Sequence, residues 1–423
     1  MNQWAPLGPS PPPLPPSGPA PVIFTGDRGE FFGLAARGAG LELVTVGFYR
    51  FWLATDIRRH LWSNTHVDGD AAEYTGRGRE LLIGFLFALA ILVPIYLAYF
   101  LVGLEVERFK AFASIPLFLF FYLFGQFAIY RARRYRLTRT VWRGVRFWMD
   151  GSGWAYAARA GLWGLLMILT LGLILPWREA ALERYKMRHC HYGDLQGGFA
   201  GTGWDFFKRG WGLWLLVMVL VFGPMLLQSA PMIALKFDPA LLKVLPKGKT
   251  LTSLAGLISL VWIFGGPFIY GVFKAIEWRW WLSGIRFGEV RFESGLPRGA
   301  LVGLYWKVIG WFLLALVLFV GYLFAAAFVI ARLNQTAMAT LFAPGSSLQD
   351  RIPMLVLAGI GYLALILAAN VVLRIYLQRD IWARILTSTT VHHIEAVANV
   401  SAKGDLVSAL GEGFADGLDV VGF

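Results

Sequence analysis

The side chains most suggestive of chemistry are histidines around the single cysteine. His189, Cys190 and His191 are consecutive, and His392 and His393 form a pair near the end of the chain. Imidazole and thiolate groups bind zinc, but zinc needs four ligands converging at about 2.0–2.3 Å, and adjacent residues on a strand point to opposite faces. These positions are also filled by Thr, Val or Arg in other copies of an internal repeat. We therefore predict no metal site and no cofactor.

Catalytic motifs give no support for an enzyme. The chain contains no GxSxG, HExxH or P-loop pattern, which are the local signatures of hydrolases, zinc peptidases and nucleotide-binding enzymes. Asp68 and Asp70 are close in sequence but flank a glycine, a spacing typical of a turn rather than of an acid and base pair. The sequence predicts a non-enzymatic protein.

A recurring arginine is the strongest candidate for binding an anion. In three places an arginine is followed six positions later by threonine, and in two others by cysteine or isoleucine. A guanidinium group suits phosphate, and these side chains are expected near the lipid headgroups. The alternative is that each one anchors its helix at the membrane interface or pairs with a nearby acid such as Asp56 or Glu183. The candidate anion or lipid contacts are Arg59, Arg134, Arg184, Arg279 and Arg384.

These arginines belong to an internal repeat. A shift of 125 positions places Thr45-Val46-Gly47 on Thr170-Leu171-Gly172 and Trp52 on Trp177. Each copy continues from its arginine into a short β-compatible run, a turn and a second run. We interpret each copy as a module in which a helix ends at the arginine and a β-hairpin follows. Since an isolated hairpin is barely stable, the strands of the modules are expected to assemble into a common sheet.

Composition predicts that these modules are attached to a membrane domain. Residues of the AVILMFWYC set make up 57% of the chain and charged residues 15%, whereas soluble proteins usually carry about 25% charged residues. A membrane-spanning helix needs about 20 mostly apolar residues. The stretches that meet this need without an acidic residue are 81–104, 112–130, 211–230, 253–273, 301–330 and 352–373.

The apolar stretch 160–177 is expected not to cross the membrane. It is shorter than the others and corresponds in the repeat to 35–52, which is too polar to span. An interfacial or re-entrant course for both is therefore predicted, and it places all modules on one side. That side carries 27 Lys and Arg residues against 8 in the opposite loops, despite a lysine cluster within 231–252. The positive-inside rule then predicts cytoplasmic modules and cytoplasmic N- and C-termini in a multi-pass protein of the bacterial inner membrane.

The predicted fold class is an α-helical polytopic membrane protein with about six transmembrane helices and repeated small cytoplasmic helix/β-hairpin modules. The segments predicted in order are a disordered Pro-rich tail, a first module, a transmembrane hairpin, two modules, a hairpin, a fourth module, a hairpin, and a fifth module with the C-terminal tail. Their boundaries are 1–21, 22–80, 81–131, 132–210, 211–273, 274–300, 301–373 and 374–423.

Several of these segments resemble the YjgN-like family of uncharacterised bacterial inner-membrane proteins. The resemblance lies in LELVTVGFYRFW with RRHLWSNTHVDG, RTVWRGVRFWMDGSGWAYA, LTLGLILPW with ERYKMRHCHYGDL, IEWRWWLSGIRFGEVRFES and the tail GEGFADGLDVVGF. It covers the chain from about residue 24 to the C-terminus, with Cys190 standing where the family pattern has threonine. The resemblance implies a membrane protein and implies no particular activity.

Two functional hypotheses follow. The net charge of +13 is spread between apolar stretches, which argues against nucleic acid as a partner. The first hypothesis is a non-enzymatic protein whose basic cytoplasmic face binds anionic phospholipid or a protein partner. The alternative is a passive transporter or channel for a small solute, with Gln126, Gln228 and Asn370 as polar residues within the spans. The predicted spans contain no Asp, Glu or His, which argues against ion-coupled transport.

Overall fold

Ten short strands form a closed antiparallel barrel. The computed structural model describes residues 18–105, 110–237, 240, 243, 245–333, 348–408, 413 and 416. Around the barrel, each strand pairs with its neighbours in chain order, and the first strand also pairs with the last. The strands are β1 (Ala20–Phe24), β2 (Thr65–Val67), β3 (Asp70–Tyr74), β4 (Thr140–Trp142), β5 (Val145–Met149), β6 (Cys190–Tyr192), β7 (Leu195–Phe199), β8 (Ile285–Phe287), β9 (Val290–Ser294) and β10 (Thr389–His392).

Connections at one end of the barrel are two-residue turns. Asp68-Gly69 and Arg143-Gly144 both have positive φ at each residue, from 50° to 84°, which is the type I′ geometry that matches strand twist. Gly193 and Gly288 begin the next two turns, with φ of 55° and 56°. Since consecutive strands are antiparallel, every other connection must leave from the opposite end. That end carries all the helices that connect successive strands.

Each helical connection is a hairpin that leaves the barrel and returns to the adjacent strand. The pairing of Tyr74 with Thr140 and of Met149 with Cys190 shows that both ends of a connection meet at the same level. Two hairpins are short and three are long. The helices are α1 (Arg28–Val44), α2 (Arg50–Ser63), α3 (Gly78–Glu105), α4 (Lys110–Thr138), α5 (Gly153–Leu169), α6 (Leu175–Arg188), α7 (Gly203–Phe237), α8 (Gly248–Gly284), α9 (Val302–Leu333), α10 (Leu348–Leu373), a π-helix (Arg374–Asp380) and α11 (Ile381–Thr387).

The predicted fold class is therefore wrong. The predicted class was α-helical, whereas the strands of all the modules close into one ten-stranded barrel. The fifth hairpin is split between the two ends of the chain, because β10 pairs with β1 at Val391 and Ala20. Strand β1 then pairs with β2 at Val22 and Val67, which completes the ring. Its first residue lies inside the segment 1–21 that was expected to be a disordered tail.

Side chains fill the barrel. Val22, Trp142, Tyr192, Phe287 and Val391 are each less than 10% exposed and belong to one apolar cluster. Alternation along the strands explains this, since every second side chain of a strand points to the same face. The neighbour of Val22 on the same strand, Ile23, is 51% exposed. The ring thus encloses an apolar core.

Five of the six expected transmembrane spans lie in helices that the described residues show to be of membrane length. Five helices in the described part of the chain are long and apolar enough to cross a membrane. The expected span 112–130 belongs to α4, which is not among them, and the side chains of α4 are described from residue 116 onward. The five are Gly78–Leu101, Gly203–Phe237, Gly248–Gly284, Val302–Ile330 and Met354–Thr387.

The apolar stretch 160–177 forms two helices rather than one. Helix α5 ends at Leu169, and a turn with positive φ at Leu171 and Gly172 leads into α6. The Thr170 hydroxyl donates to the Leu166 carbonyl at 2.8 Å. The turn that starts at Thr45 has the same conformation, with its hydroxyl donating to Leu41 at 2.7 Å. The interfacial or re-entrant course of 160–177 stays a prediction.

The last copy of the repeat lies in a different register from the one predicted. Strands β4, β6 and β8 begin at Thr140, Cys190 and Ile285, as the spacing from the arginines requires, but β10 begins at Thr389 rather than Thr390. The π-helix Arg374–Asp380, which precedes α11, accommodates one more residue than the same length of α-helix would. Arg384 is therefore one position out of register with the other four arginines.

Candidate functional site

The ends of the helices beneath the barrel bury a group of charged side chains. On α6, the Glu183 carboxylate lies 3.0 Å from the guanidinium of Arg133 on α4 and also contacts Lys186. Burial alone raises the pKa of Glu183, but Lys186 and Arg133 outweigh it and lower the pKa to about 2. Glu183 is therefore deprotonated at neutral pH, and its carboxylate lies between two cations.

A second group of charges adjoins the first through α4. The Asp416 carboxylate, from the C-terminal tail, contacts Arg58 on α2 in a bidentate pair, with one of the two distances 3.1 Å. Arg136 on α4 lies 3.6 Å from the same carboxylate. Arg58 also donates to the Tyr74 hydroxyl at 3.3 Å. Arg58 and Asp416 are each 5% exposed, so the pair is closed to solvent.

Arg133 and Arg136 are one helical turn apart and join the two groups into what we call the buried ion network. Three of its members directly precede a repeated arginine: Arg58, Arg133 and Glu183. Consecutive helix residues are rotated by about 100°, so one side chain faces inward while the next faces outward. The members of the network are Arg58, Arg133, Arg136, Glu183, Lys186 and Asp416.

The five arginines predicted as anion contacts are not brought together, and four of them are exposed on the helix layer. Arg59 donates to the Gly76 carbonyl at 2.7 Å, and Arg184 donates to the Gly201 carbonyl at 3.5 Å. Arg384 donates to the Ala300 carbonyl. Arg279 is exposed and Arg134 is half-buried. Three of the five thus hold the loop that leads from a strand into a helix, and their contact with lipid stays a prediction.

The histidines do not converge on one site. His189 Nδ1 lies 2.7 Å from the Asp150 carboxylate, whereas His191 stacks on Trp148 with ring centroids 4.1 Å apart. His392 instead pairs with Glu293 across two strands, at 3.1 Å. Among the residues that the structure describes, no three His, Cys, Asp or Glu side chains are grouped so as to hold a metal ion.

Cys190 is expected to resist thiol reagents in the folded protein. Its side chain is 2% exposed, and burial raises the pKa of the thiol to about 11. Since the thiolate is the reactive form, maleimide labelling at neutral pH should be roughly 100-fold slower than in protein unfolded with detergent. A Cys190→Ala/Ser401→Cys variant, with its thiol on an exposed segment, is the positive control. Equal labelling of native and unfolded Cys190 would contradict the buried placement.

An apolar cavity of about 250 Å³ lies between the turn after α5 and helices α7 and α8. Helix α7 fixes the turn, because the Trp214 indole donates to the Leu171 carbonyl at 3.3 Å. Along α7 the lining runs from Phe206 to Val217, a rise of roughly 16 Å. Residues that line the cavity include Leu173, Pro176, Phe207, Trp214, Trp262 and Tyr270.

Aromatic rings and a cation mark the end of the cavity nearest the barrel. Phe207, which lines the cavity, stacks on Trp204 with centroids 5.5 Å apart and contacts Trp177 at 5.3 Å. Lys208 lies over the Trp204 ring at 5.6 Å, and Lys208 and Arg209 are exposed. An apolar cavity with indoles and a basic group near one end has the polarity of an anionic amphiphile.

The structure also describes the surroundings of the three polar residues that were predicted to line a solute pathway. Asn370 donates to the Ile366 carbonyl one turn earlier in its own helix, at 3.2 Å. Gln126 is half-buried and Gln228 is exposed on α7. Asn370 thus satisfies part of its hydrogen-bonding capacity locally.

Sequence reasoning missed the buried ion network and the cavity. The binding residues predicted from the sequence were the arginines that follow Arg58 and Arg133. Two consecutive basic residues on a helix point to different faces of that helix, so one of each pair could have been expected to be buried. Asp416 carried a usable signal, since it is an acidic residue between glycines and apolar residues in the tail GEGFADGLDVVGF. The cavity left no local pattern, because it depends on how three helices pack.

The membrane-length helices and the five arginine-bearing modules agree with the resemblance noted in the sequence. No curated protein and no solved structure matches the chain. A family model described as "Bacterial protein of unknown function (DUF898)" matches residues 19–417, from the first strand to the tail residue Asp416 and just beyond. The YjgN-like resemblance is therefore confirmed, and the chain belongs to the DUF898 family of bacterial proteins.

Proposed function

We propose that this protein is a non-enzymatic binding protein of the bacterial inner membrane that holds an anionic phospholipid at its cytoplasmic face. The observation that supports this most is the apolar cavity beside α7, with Lys208 over the Trp204 ring near its barrel end. Acyl chains would occupy the cavity, and the phosphate would lie near Lys208. Trp177 and Trp204 would lie at the level of the lipid headgroups.

The charge distribution supports a cytoplasmic position for the barrel. All helical connections leave from one end of the barrel, so the arginine-rich helix ends share one compartment. The regions beside the barrel carry 27 Lys and Arg residues, against 8 in the loops at the far ends of the spans. Such an excess is typical of the cytoplasmic side. A passive solute pathway between the spans, the alternative, has less support because Asn370 bonds to its own helix and Gln228 is exposed on α7.

Filling the cavity should remove the bound lipid. A Cβ placed at Gly210 or Gly266, both in the cavity lining, meets no atom within 4 Å, so Gly210→Leu and Gly266→Leu place a side chain in the space without a backbone clash. We expect native mass spectrometry of protein extracted in mild detergent to show a retained phospholipid that these variants lose. Gly212→Leu is the matched control, since Gly212 is equally unobstructed but lies outside the lining.

The charge of the headgroup is tested separately. Lys208→Gln should reduce the preference for phosphatidylglycerol over phosphatidylethanolamine by about fivefold, since a cation near an anionic surface contributes about 1 kcal/mol. Competition between the two lipids in nanodiscs measures the preference. Equal lipid retention by the wild type, the cavity variants and the Gly212→Leu control would reject the proposal.

A further inference from the structure

The fourth hairpin of the barrel, β8–β9, has two arginines directly opposite each other. Arg286 pairs with Arg291 in the second cross-strand pair counted from the turn. The other hairpins with two-residue turns show what the fold accepts at this place. Their second pairs are His66 with Ala71, Val141 with Arg146, and His191 with Gln196. Each of these pairs holds at most one arginine, so the barrel does not need two cations here.

Both arginines lie on the outer wall of the barrel. Their neighbours along the strands, Phe287, Val290 and Phe292, belong to the apolar cluster inside the ring or pack against it. Alternation therefore turns Arg286 and Arg291 to the other face of the sheet. Arg286 is half-buried and Arg291 is exposed. Residues directly opposite each other on antiparallel strands have Cα atoms about 4.5–5.5 Å apart, so one small anion can contact both guanidinium groups.

The described residues leave donors of both guanidinium groups without a partner. Arg286 donates from Nη1 to the carbonyls of Ser283 and Ile285, at 2.8 and 2.7 Å. These two bonds fix the guanidinium near the start of β8, and the Nε and Nη2 groups have no acceptor in the described part of the chain. Neither Arg286 nor Arg291 forms an ion pair with a described carboxylate.

The facing charges are a cost that an anion would offset. Like charges directly opposite each other destabilise a pair of strands. Burial lowers the pKa of the Arg286 guanidinium, and the charge of Arg291 lowers it further. Glu293 follows Arg291 by two residues on the same strand, but its carboxylate lies 3.1 Å from His392. The acid of this face is thus engaged elsewhere, and an anion from outside the chain would relieve the repulsion.

The adjacent strand leaves room for such an anion. Arg286 lies opposite Gly198 of β7. A Cβ placed at Gly198 meets, within 4 Å, only the Cβ of Arg286, at 3.9 Å. The wall is therefore open beside the arginine. Guanidinium groups present planar sets of N–H donors that match the oxygens of a phosphate, and a phosphate has enough oxygens to accept from two arginines at once.

We propose that Arg286 and Arg291 bind a phosphate group on the outer wall of the barrel, in the space that Gly198 leaves open. The phosphate belongs to a soluble compound or to a lipid headgroup. The site is formed by β7, β8 and β9, whereas the lipid cavity lies between α7 and α8. Either proposal can therefore fail without the other.

The first test measures the binding of inorganic phosphate to the full-length protein in detergent, by equilibrium dialysis at constant ionic strength. Arg291→Gln removes one guanidinium group and should weaken binding by about tenfold, the usual effect of losing a hydrogen bond to a charged group. Arg298→Gln is the matched control, since it removes an exposed cation from the segment after β9 and should bind like the wild type. Equal binding by Arg291→Gln and the wild type, or no binding by either, would overturn the proposal.

A second variant fills the space and keeps both charges. Gly198→Val adds a strand-compatible side chain beside Arg286 and should also weaken phosphate binding. Gln196→Val is its control, because Gln196 lies on the same strand opposite His191 and away from the arginine pair. Phosphate binding that survives Gly198→Val would contradict the site.

Nanodiscs distinguish the two sources of the phosphate group. Phosphatidic acid offers a phosphate monoester, and phosphatidylserine provides a similar surface charge without one. Weaker binding of free phosphate in phosphatidic acid nanodiscs than in phosphatidylserine nanodiscs would identify a headgroup that reaches Arg291. Equal binding of free phosphate in both would identify a soluble phosphate compound as the ligand.

Discussion

Replacing Glu183 with glutamine is expected to lower the free energy of unfolding by about 3–5 kcal/mol, the usual cost of removing one partner of a buried ion pair. The carboxylate contacts Arg133 and Lys186, and the three side chains are between 9% and 20% exposed. Glutamine keeps the shape and removes the charge, so two cations stay buried without their anion. Unfolding by denaturant in mild detergent, followed by tryptophan fluorescence, measures the change.

The matched control is Glu289→Gln, which neutralises an exposed glutamate in the turn between β8 and β9. It should change the free energy of unfolding by less than about 0.5 kcal/mol, as is usual for surface substitutions. If Glu183→Gln and Glu289→Gln were equally stable, the ion network would contribute nothing to the fold.

The contribution of Glu183 should also depend on pH. Its pKa is about 2 in the folded protein and near the ordinary 4.5 when unfolded. A carboxylate with a lowered folded pKa stabilises the protein fully above the unfolded pKa, and the contribution disappears as pH falls through the folded value. The difference between the wild type and Glu183→Gln should therefore be constant above about pH 5 and shrink between about pH 4.5 and pH 2. A difference that grew in acid would contradict this assignment.

Replacing Val22 with aspartate is expected to have an effect of similar or larger size, more than about 4 kcal/mol, because it puts an unpaired charge into the barrel. Val22 is 4% exposed, packs in the apolar cluster and lies on β1, the strand that closes the ring. Opening β1 would expose Trp142 and the edges of β2 and β10. Limited proteolysis and the fluorescence of the purified variant should both report the change.

Ile23→Asp provides the control on the same strand. Ile23 is 51% exposed and its side chain points away from the barrel interior, so aspartate there stays in water. This variant should unfold at nearly the same denaturant concentration as the wild type. Equal destabilisation by the two substitutions would mean that β1 is not part of a closed barrel.

The sequence predicted the elements of this fold better than their arrangement. Apolar stretches identified the long helices, and turn residues such as Asp68-Gly69 identified the hairpins. The closed barrel was missed because its strands have three to five residues, too few for a clear alternation. Its decisive pairing joins Ala20 with Val391, and no local pattern relates residues so far apart. A proline-rich stretch also concealed β1.

The candidate site was predicted less well for a related reason. The spacing of Arg59, Arg134 and Arg184 revealed a repeat. A repeat identifies structural features that its copies have in common. Here that feature is a hydrogen bond from the arginine to a loop carbonyl, which Arg59 and Arg184 both make. Positions that differ between copies carry the charges of the buried ion network. Arg58, Arg133 and Glu183 stand at one equivalent position, and their opposite charges interact only because the ring brings neighbouring modules together.

The split fifth hairpin makes completion of the ring depend on the last helical connection. Strand β1 is synthesised before all the helices, and its partner β10 is synthesised after them. Until β10 arrives, one edge of β1 has no neighbour, and open strand edges invite pairing with other chains. A chain truncated before Thr389 could not seal the barrel, however well its helices inserted. A sealed ring therefore forms only once every helical connection between β1 and β10 has been synthesised.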